Sequence, residues 1–137
     1  MILNGIDYPY AVDVAKGEDL HEVFRGERRG HWTYNRVEYK CRRVSSGKKV
    51  IFVDQKGADL FATIYGKDRI CIRGKVFGSI QAMSAIYDWI SENIGAKGAS
   101  WHLPHDWRSV LVPGRDCELP LAFVRPEDAV RFKLVWG

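Results

Sequence analysis

The clearest pattern of apolar and polar positions lies between Ser79 and Gly95. Its apolar residues recur at steps of three and four, the spacing of one face of an α-helix. They are Ile80, Met83, Ile86, Tyr87, Ile90 and Ile94. Ser79 suits the N-cap position, and Gly95 can adopt the left-handed conformation that often ends a helix. The pattern therefore predicts a helix over residues 79–94 that buries one face against a sheet.

Residues 31–44 alternate between apolar and polar positions in two registers that do not match. Trp32 and Tyr34 fit the first register, while Tyr39 fits the second. An extra residue in a bulge near Asn35–Arg36 would reconcile the two registers within one strand, because a bulge re-aims the side chains that follow it. Two separate short strands are the alternative interpretation.

Three further segments complete a predicted antiparallel meander over residues 31–73. The unbroken apolar run of residues 49–54 predicts a central strand covered on both faces. Residues 58–65 could form a short helix, but their aromatic and β-branched residues favour a strand, and strand is our prediction. Residues 69–73 alternate and predict the last strand.

The C-terminal part predicts a short strand over residues 101–103, a strand over residues 119–124 and a helix over residues 126–135. Proline at the first helical turn followed by acidic residues is a typical helix start. The predicted order β-α-β-β-α from residue 69 onwards also occurs in ferredoxin-like folds. We therefore predict an α+β fold with a mostly antiparallel sheet, packed by the helix at 79–94 and closed by the short C-terminal helix. A ferredoxin-like second half is one option.

Length and cysteine content place this chain among ordinary globular proteins. The 137 residues fit a single domain over residues 1–137. The odd number and long spacing of Cys41, Cys71 and Cys117 argue against disulfides and a zinc site, and favour free thiols in a reducing cytoplasm. No apolar run approaches the roughly 20 residues that span a bilayer, and the N-terminus does not resemble a signal peptide. We expect a cytoplasmic protein that does not bind membranes.

Charge is concentrated in the predicted meander. Residues 25–75 hold 14 Lys and Arg against 5 Asp and Glu, a net charge of +9, whereas residues 1–24 carry −4 and residues 76–137 carry −1. Basic residues interleaved with aromatic ones suit nucleic acid, through phosphate contacts and base stacking. The candidate phosphate contacts are Arg36, Lys40, Arg42, Lys48, Lys49 and Arg73, and the stacking candidates are Trp32 and Tyr34. An outer face that contacts only solvent explains the same charges.

These observations favour a small macromolecule-binding module without enzymatic activity, whose partner is nucleic acid. A protein-binding inhibitor or accessory protein, of the kind that phages encode, is the alternative, with an acidic protein surface as its partner. Arg and Trp are common interface anchors, and the candidates for this role are Arg28, Arg29, Trp107 and Arg108.

The loop at residues 101–107 suggests a weaker alternative, a metal-dependent hydrolase. His102, His105 and Asp106 lie within five residues and could bind a metal or transfer protons. Their spacing matches no established ligand motif, and a loop anchored by its two tryptophans explains the segment as well. We therefore expect no cofactor.

Overall fold

Residues 1–69 form the first of two units, and residues 70–137 form the second. The computed structural model describes residues 1–27, 29–104 and 111–137. Helices and antiparallel sheets occur in both units, so the predicted α+β class is confirmed. The single domain over residues 1–137 stays a prediction. Within the described ranges, no helix has the length and apolar character needed to span a membrane.

The first unit is a four-stranded antiparallel sheet with a helix packed on one face, preceded by a short N-terminal hairpin. Its strands are β1 (Ile2–Leu3), β2 (Ile6–Asp7), β3 (Tyr10–Asp13), β4 (His31–Tyr34), β5 (Val37–Val44) and β6 (Lys49–Phe52), and its helices are α1 (Leu20–Val23) and α2 (Gln55–Tyr65). The order in the main sheet is β3-β6-β5-β4. Strand β6 is therefore central, and its apolar residues are buried on both faces, as the unbroken apolar run predicted.

The two registers of residues 31–44 come from two strands and not from a bulge. Asn35 and Arg36 form a two-residue hairpin turn, and both have positive φ, 50° and 66°. This is the backbone conformation of a type I′ turn, whose twist matches that of the flanking strands. The turn pairs Trp32 with Tyr39, so even positions of β4 share a face with odd positions of β5.

The prediction of a strand over residues 58–65 is wrong, because these residues belong to helix α2. Gly57, Phe61, Ile64 and Tyr65 lie three or four residues apart and bury one helical face against the sheet. Burial of this face outweighs the strand preference of the individual residues, which is the usual outcome when packing and propensity compete. The meander therefore ends at β6, and Arg73 lies in the second unit.

The core of the first unit is built around the indole of Trp32, which is 2% exposed. Its ring centroid lies 5.0 Å from that of Phe61 in α2 and 5.6 Å from that of Tyr39 in β5. Edge-to-face contacts also join it to Phe52 and Tyr65. Such aromatic pairs add to the free energy that burial of the rings contributes.

The second unit is a three-stranded sheet with two helices. Its elements are β7 (Ile70–Phe77), α3 (Ile80–Asn93), β8 (Trp101–His102), β9 (Asp116–Phe123) and α4 (Pro126–Trp136). Strand β9 lies between β7 and β8 and is antiparallel to both, so β7 and β8 run in the same direction. A split β-α-β unit has this arrangement. A ferredoxin-like fold stays a prediction.

Helix α3 is the helix predicted over residues 79–94. The Ser79 hydroxyl caps its N-terminus by accepting a hydrogen bond from the Ala82 amide at 3.1 Å. Met83, Ile86 and Ile90 are buried as expected, but Ile80 is 75% exposed. Ile80, the first residue of the helix, therefore lies outside the contact between the helix and the core.

Close packing in the first unit requires glycine at position 57. A Cβ there would lie 2.9 Å from Cδ1 of Tyr39 and 3.1 Å from Cδ1 of Phe52. Alanine normally stabilises a helix interior relative to glycine by about 0.5–1 kcal/mol. We expect Gly57→Ala to destabilise the protein by about 1–3 kcal/mol instead, because the core would be overpacked. Urea unfolding measures the change, with the exposed Lys56→Ala in the same helix as the control, and a gain in stability for Gly57→Ala would contradict the prediction.

A similar contact in the second unit joins Gly74 of β7 to Phe132 of α4. A Cβ on Gly74 would lie 2.9 Å from Cε1 of Phe132 and closer still to its Cζ. We expect Gly74→Ala to cost about 1–3 kcal/mol, and to cost less in a Phe132→Leu background, because leucine lacks the outer ring atoms. A double-mutant cycle from urea unfolding measures this coupling. Equal costs in the two backgrounds would show that the contact is not the cause, and Lys75→Ala is the exposed control on the same strand.

Candidate functional site

Strand β5 places its basic residues according to its alternation. Tyr39 and Cys41 face α2 and are buried, whereas Lys40 and Arg42 share the opposite face. Arg36 lies in the turn before the strand and is exposed, so it is not one of the residues that alternate along the outer face of β5.

The edge of β5 is uncovered along its second half. Strand β4 begins at His31, opposite Lys40, and the Cys41 amide donates to the Gly30 carbonyl oxygen at 3.0 Å. Beyond this point β5 pairs with β6 on one side only, as far as the described residues show. Successive side chains of a strand point to opposite faces, so Arg42 and Arg43 flank this edge from its two sides.

A cleft of about 540 Å³ lies at this edge. Its described lining comes from the turn of the N-terminal hairpin, from Phe24, Glu27 and residues 29–31, and from residues 41–43. The ionisable residues of that lining other than Cys41 are Glu27, Arg29, His31, Arg42 and Arg43. Within the described residues, three arginines from two separate parts of the chain thus line the cleft.

The arginines of β5 are held in place by neighbouring side chains. Nε of Arg42 donates to the Tyr8 hydroxyl at 3.4 Å, and its guanidinium carbon lies 3.6 Å from the position that a Cβ on Gly30 would occupy. The guanidinium carbon of Arg43 lies 5.1 Å from the ring centroid of Phe24, a cation–π distance. These contacts restrict both side chains before any ligand binds.

The acid in the cleft is already hydrogen-bonded. Oε1 of Glu27 accepts from the Thr33 amide at 3.1 Å, and Oε2 accepts from the Thr33 hydroxyl at 2.9 Å. The two bonds fasten the loop before β4 to the strand itself. Nδ1 of His31 is buried and has no hydrogen-bond partner among the described residues.

The thiol that lines the cleft is not a nucleophile at neutral pH. Burial raises the pKa of Cys41 to about 12, with a smaller contribution in the same direction from the Glu27 carboxylate. Arg43 and Arg42 act in the opposite direction but do not offset the burial. A thiol with so high a pKa carries almost no thiolate, the reactive form.

Both predicted stacking residues pack against other rings of the first unit. Trp32 is in the core, so it has no exposed face on which a base could stack. Tyr34 is half-buried and stacks on Trp32, with ring centroids 5.6 Å apart. The aromatic half of the sequence-based hypothesis therefore lacks support in the first unit, because its rings serve the core.

The remaining predicted phosphate contacts are scattered. Lys48 is exposed in the turn before β6, and Lys49 lies 3.6 Å from the Asp13 carboxylate. Lys67 approaches the same carboxylate at 3.5 Å. Arg73, in the second unit, lies 3.6 Å from Glu118. The expectation that Arg73 shares a sheet with the others is wrong, because helix α2 replaces the strand that would have connected them.

Most residues of the two alternative sites lie outside the described ranges. These are Arg28, Trp107 and Arg108 of the protein-binding candidate, and His105 and Asp106 of the metal candidate. Arg29 is described and lines the cleft. His102 is 2% exposed in β8, and burial lowers its pKa. Within the described part of the chain, no group of three or more His, Cys, Asp or Glu side chains could hold a metal ion.

Sequence reasoning missed Arg43 and His31 as members of the site. Arg43 shares its register with the buried Tyr39 and Cys41, so alternation alone does not mark it as part of the basic face. Only the end of β4 at His31 reveals that this part of β5 is an edge, and no local pattern marks that end. The cleft offers positive charge and N–H donors, the chemistry that binds anions.

No protein-family model, no curated protein and no solved structure matches this chain.

Proposed function

We propose that this chain is a non-catalytic module that binds the phosphate groups of a nucleic acid at the cleft of its first unit. The observation that carries the proposal is the convergence of Arg29, Arg42 and Arg43 on one cleft. The one carboxylate of its described lining, that of Glu27, accepts two hydrogen bonds from Thr33. Guanidinium groups bind phosphate through paired, charge-assisted hydrogen bonds, and they contribute more when they are positioned in advance.

Neighbouring basic residues extend the interface beyond the cleft. Lys40 lies on the same face as Arg42, and Lys40, Arg36 and Lys48 are exposed. Contacts of this kind are made to the backbone of the nucleic acid and carry little sequence information. Lys49 contributes less, because Asp13 partly neutralises it.

We also propose that the protein works in the cytoplasm. No disulfide joins its three cysteines, of which Cys41 is buried while Cys71 and Cys117 are half-buried. Disulfides form and persist mainly in oxidising compartments, so three cysteines without a disulfide are consistent with a reducing one.

Binding of an unstructured oligonucleotide should weaken as salt rises, because phosphate contacts release counterions. We expect Arg42→Gln to weaken binding about tenfold, since a hydrogen bond to a charged group contributes about 1.5–3 kcal/mol. The same variant should lower the slope of log K against log salt by about 1. Fluorescence anisotropy at several salt concentrations measures both quantities.

The matched control is Arg73→Gln, which removes the same charge from the second unit. It should leave affinity and salt slope nearly unchanged. Binding that is insensitive to salt would refute the proposal, and so would equal losses in the two variants. Binding of labelled polyglutamate without binding of the oligonucleotide would point to an acidic protein as the partner instead.

A further inference from the structure

We infer that the cleft binds the terminal phosphate of a nucleic-acid strand, a phosphomonoester, in preference to a phosphodiester within the strand. The inference rests on the proposed function and names the part of the nucleic acid that the cleft recognises. The charge of the cleft, its size and the contacts that position its arginines support the inference.

The charge of the cleft matches a dianion. The described lining contains three arginines and one glutamate, which together carry a net charge of +2. A phosphomonoester carries a charge of about −1.5 to −2 at pH 7 and presents three acceptor oxygens. A phosphodiester within a strand carries a single negative charge, and it would leave part of this positive charge uncompensated.

The size of the cleft fits a terminal nucleotide. Its described lining includes Leu3 and Asn4 of the N-terminal hairpin, Phe24 and Glu27 of the loop before β4, and residues at the edge of β5. The volume of about 540 Å³ falls in the range of small-ligand pockets and leaves room for a terminal nucleotide.

The donors of the cleft are oriented before binding. Tyr8 holds Arg42 and the ring of Phe24 holds Arg43, so the side chains lose little conformational freedom when a ligand arrives.

The test compares three oligonucleotides of one sequence, with a 5′-phosphate, a 3′-phosphate or hydroxyl groups at both ends. We expect one phosphorylated form to bind the full chain about tenfold more tightly than the hydroxyl form, because it adds charge-assisted hydrogen bonds. Equal, salt-sensitive binding of all three would overturn the inference and leave the proposed function standing. Absence of binding to all three would overturn both.

Competition separates a strand end from a free nucleotide. A nucleoside monophosphate should displace the phosphorylated oligonucleotide only at much higher concentration, and the nucleoside should not displace it. A nucleoside monophosphate that binds as tightly as the oligonucleotide would overturn the assignment to a strand end.

Variants assign the preference to the cleft. Arg43→Gln should remove most of the preference for the phosphorylated end, and Arg43→Lys should restore part of it. Lys48→Gln removes the same charge from an exposed turn outside the cleft lining, and it should weaken all three oligonucleotides equally. Thermal unfolding verifies that each variant is folded. A folded Arg43→Gln protein that keeps the full preference would overturn the inference.

Discussion

Packing of the Trp32 indole determines the arrangement of the first unit. The ring lies against Phe61 of α2 and Tyr39 of β5, and it pairs in register with Tyr39 across the β4–β5 hairpin. Because side chains alternate along a strand, a shift of β5 by one residue would bring Lys40 into the core in place of Tyr39. The position of Lys40 and Arg42 on the face opposite the core is therefore a consequence of the aromatic packing.

The cleft depends on the same packing. Trp32 fixes the position of β4, and the two hydrogen bonds between Glu27 and Thr33 fasten the preceding loop to that strand. Strand β4 is four residues long and β5 is eight, so the shorter strand leaves Arg42 and Arg43 at an edge. An exposed strand edge is a site where a protein can pair with another chain, and charged side chains at the edge oppose such pairing. The arginines can serve both purposes, because protection of an edge and attraction of an anion need the same charge.

Elements with strong periodicity could be predicted from the sequence. The prediction was wrong where tertiary contacts determine whether a segment is a helix or a strand. The helix at Ile80–Asn93 and the central strand at Lys49–Phe52 follow from their apolar patterns. Residues 58–65 carry both a strand composition and a helical spacing, and the choice depends on the sheet face that Phe61 and Ile64 fill. Lys40 and Arg42 could be identified from alternation, whereas Arg43 and His31 could not, because the end of β4 determines their surroundings.

Loss of Trp32 as a stacking residue changes the kind of recognition that the first unit can support. Proteins that bind single strands along their length commonly combine a basic groove with exposed aromatic rings, and stacking supplies much of the affinity per base. Here the rings that the sequence interleaves with the basic residues are in the core or stacked on it. Positive charge without exposed rings favours contacts to phosphates over contacts to bases. Arginines that line one cleft favour a single phosphate over successive phosphates along a strand. The alternation that places basic residues on the outer face also places aromatic residues in the core. Their rings then contribute to packing of the sheet and are not available to stack on a base.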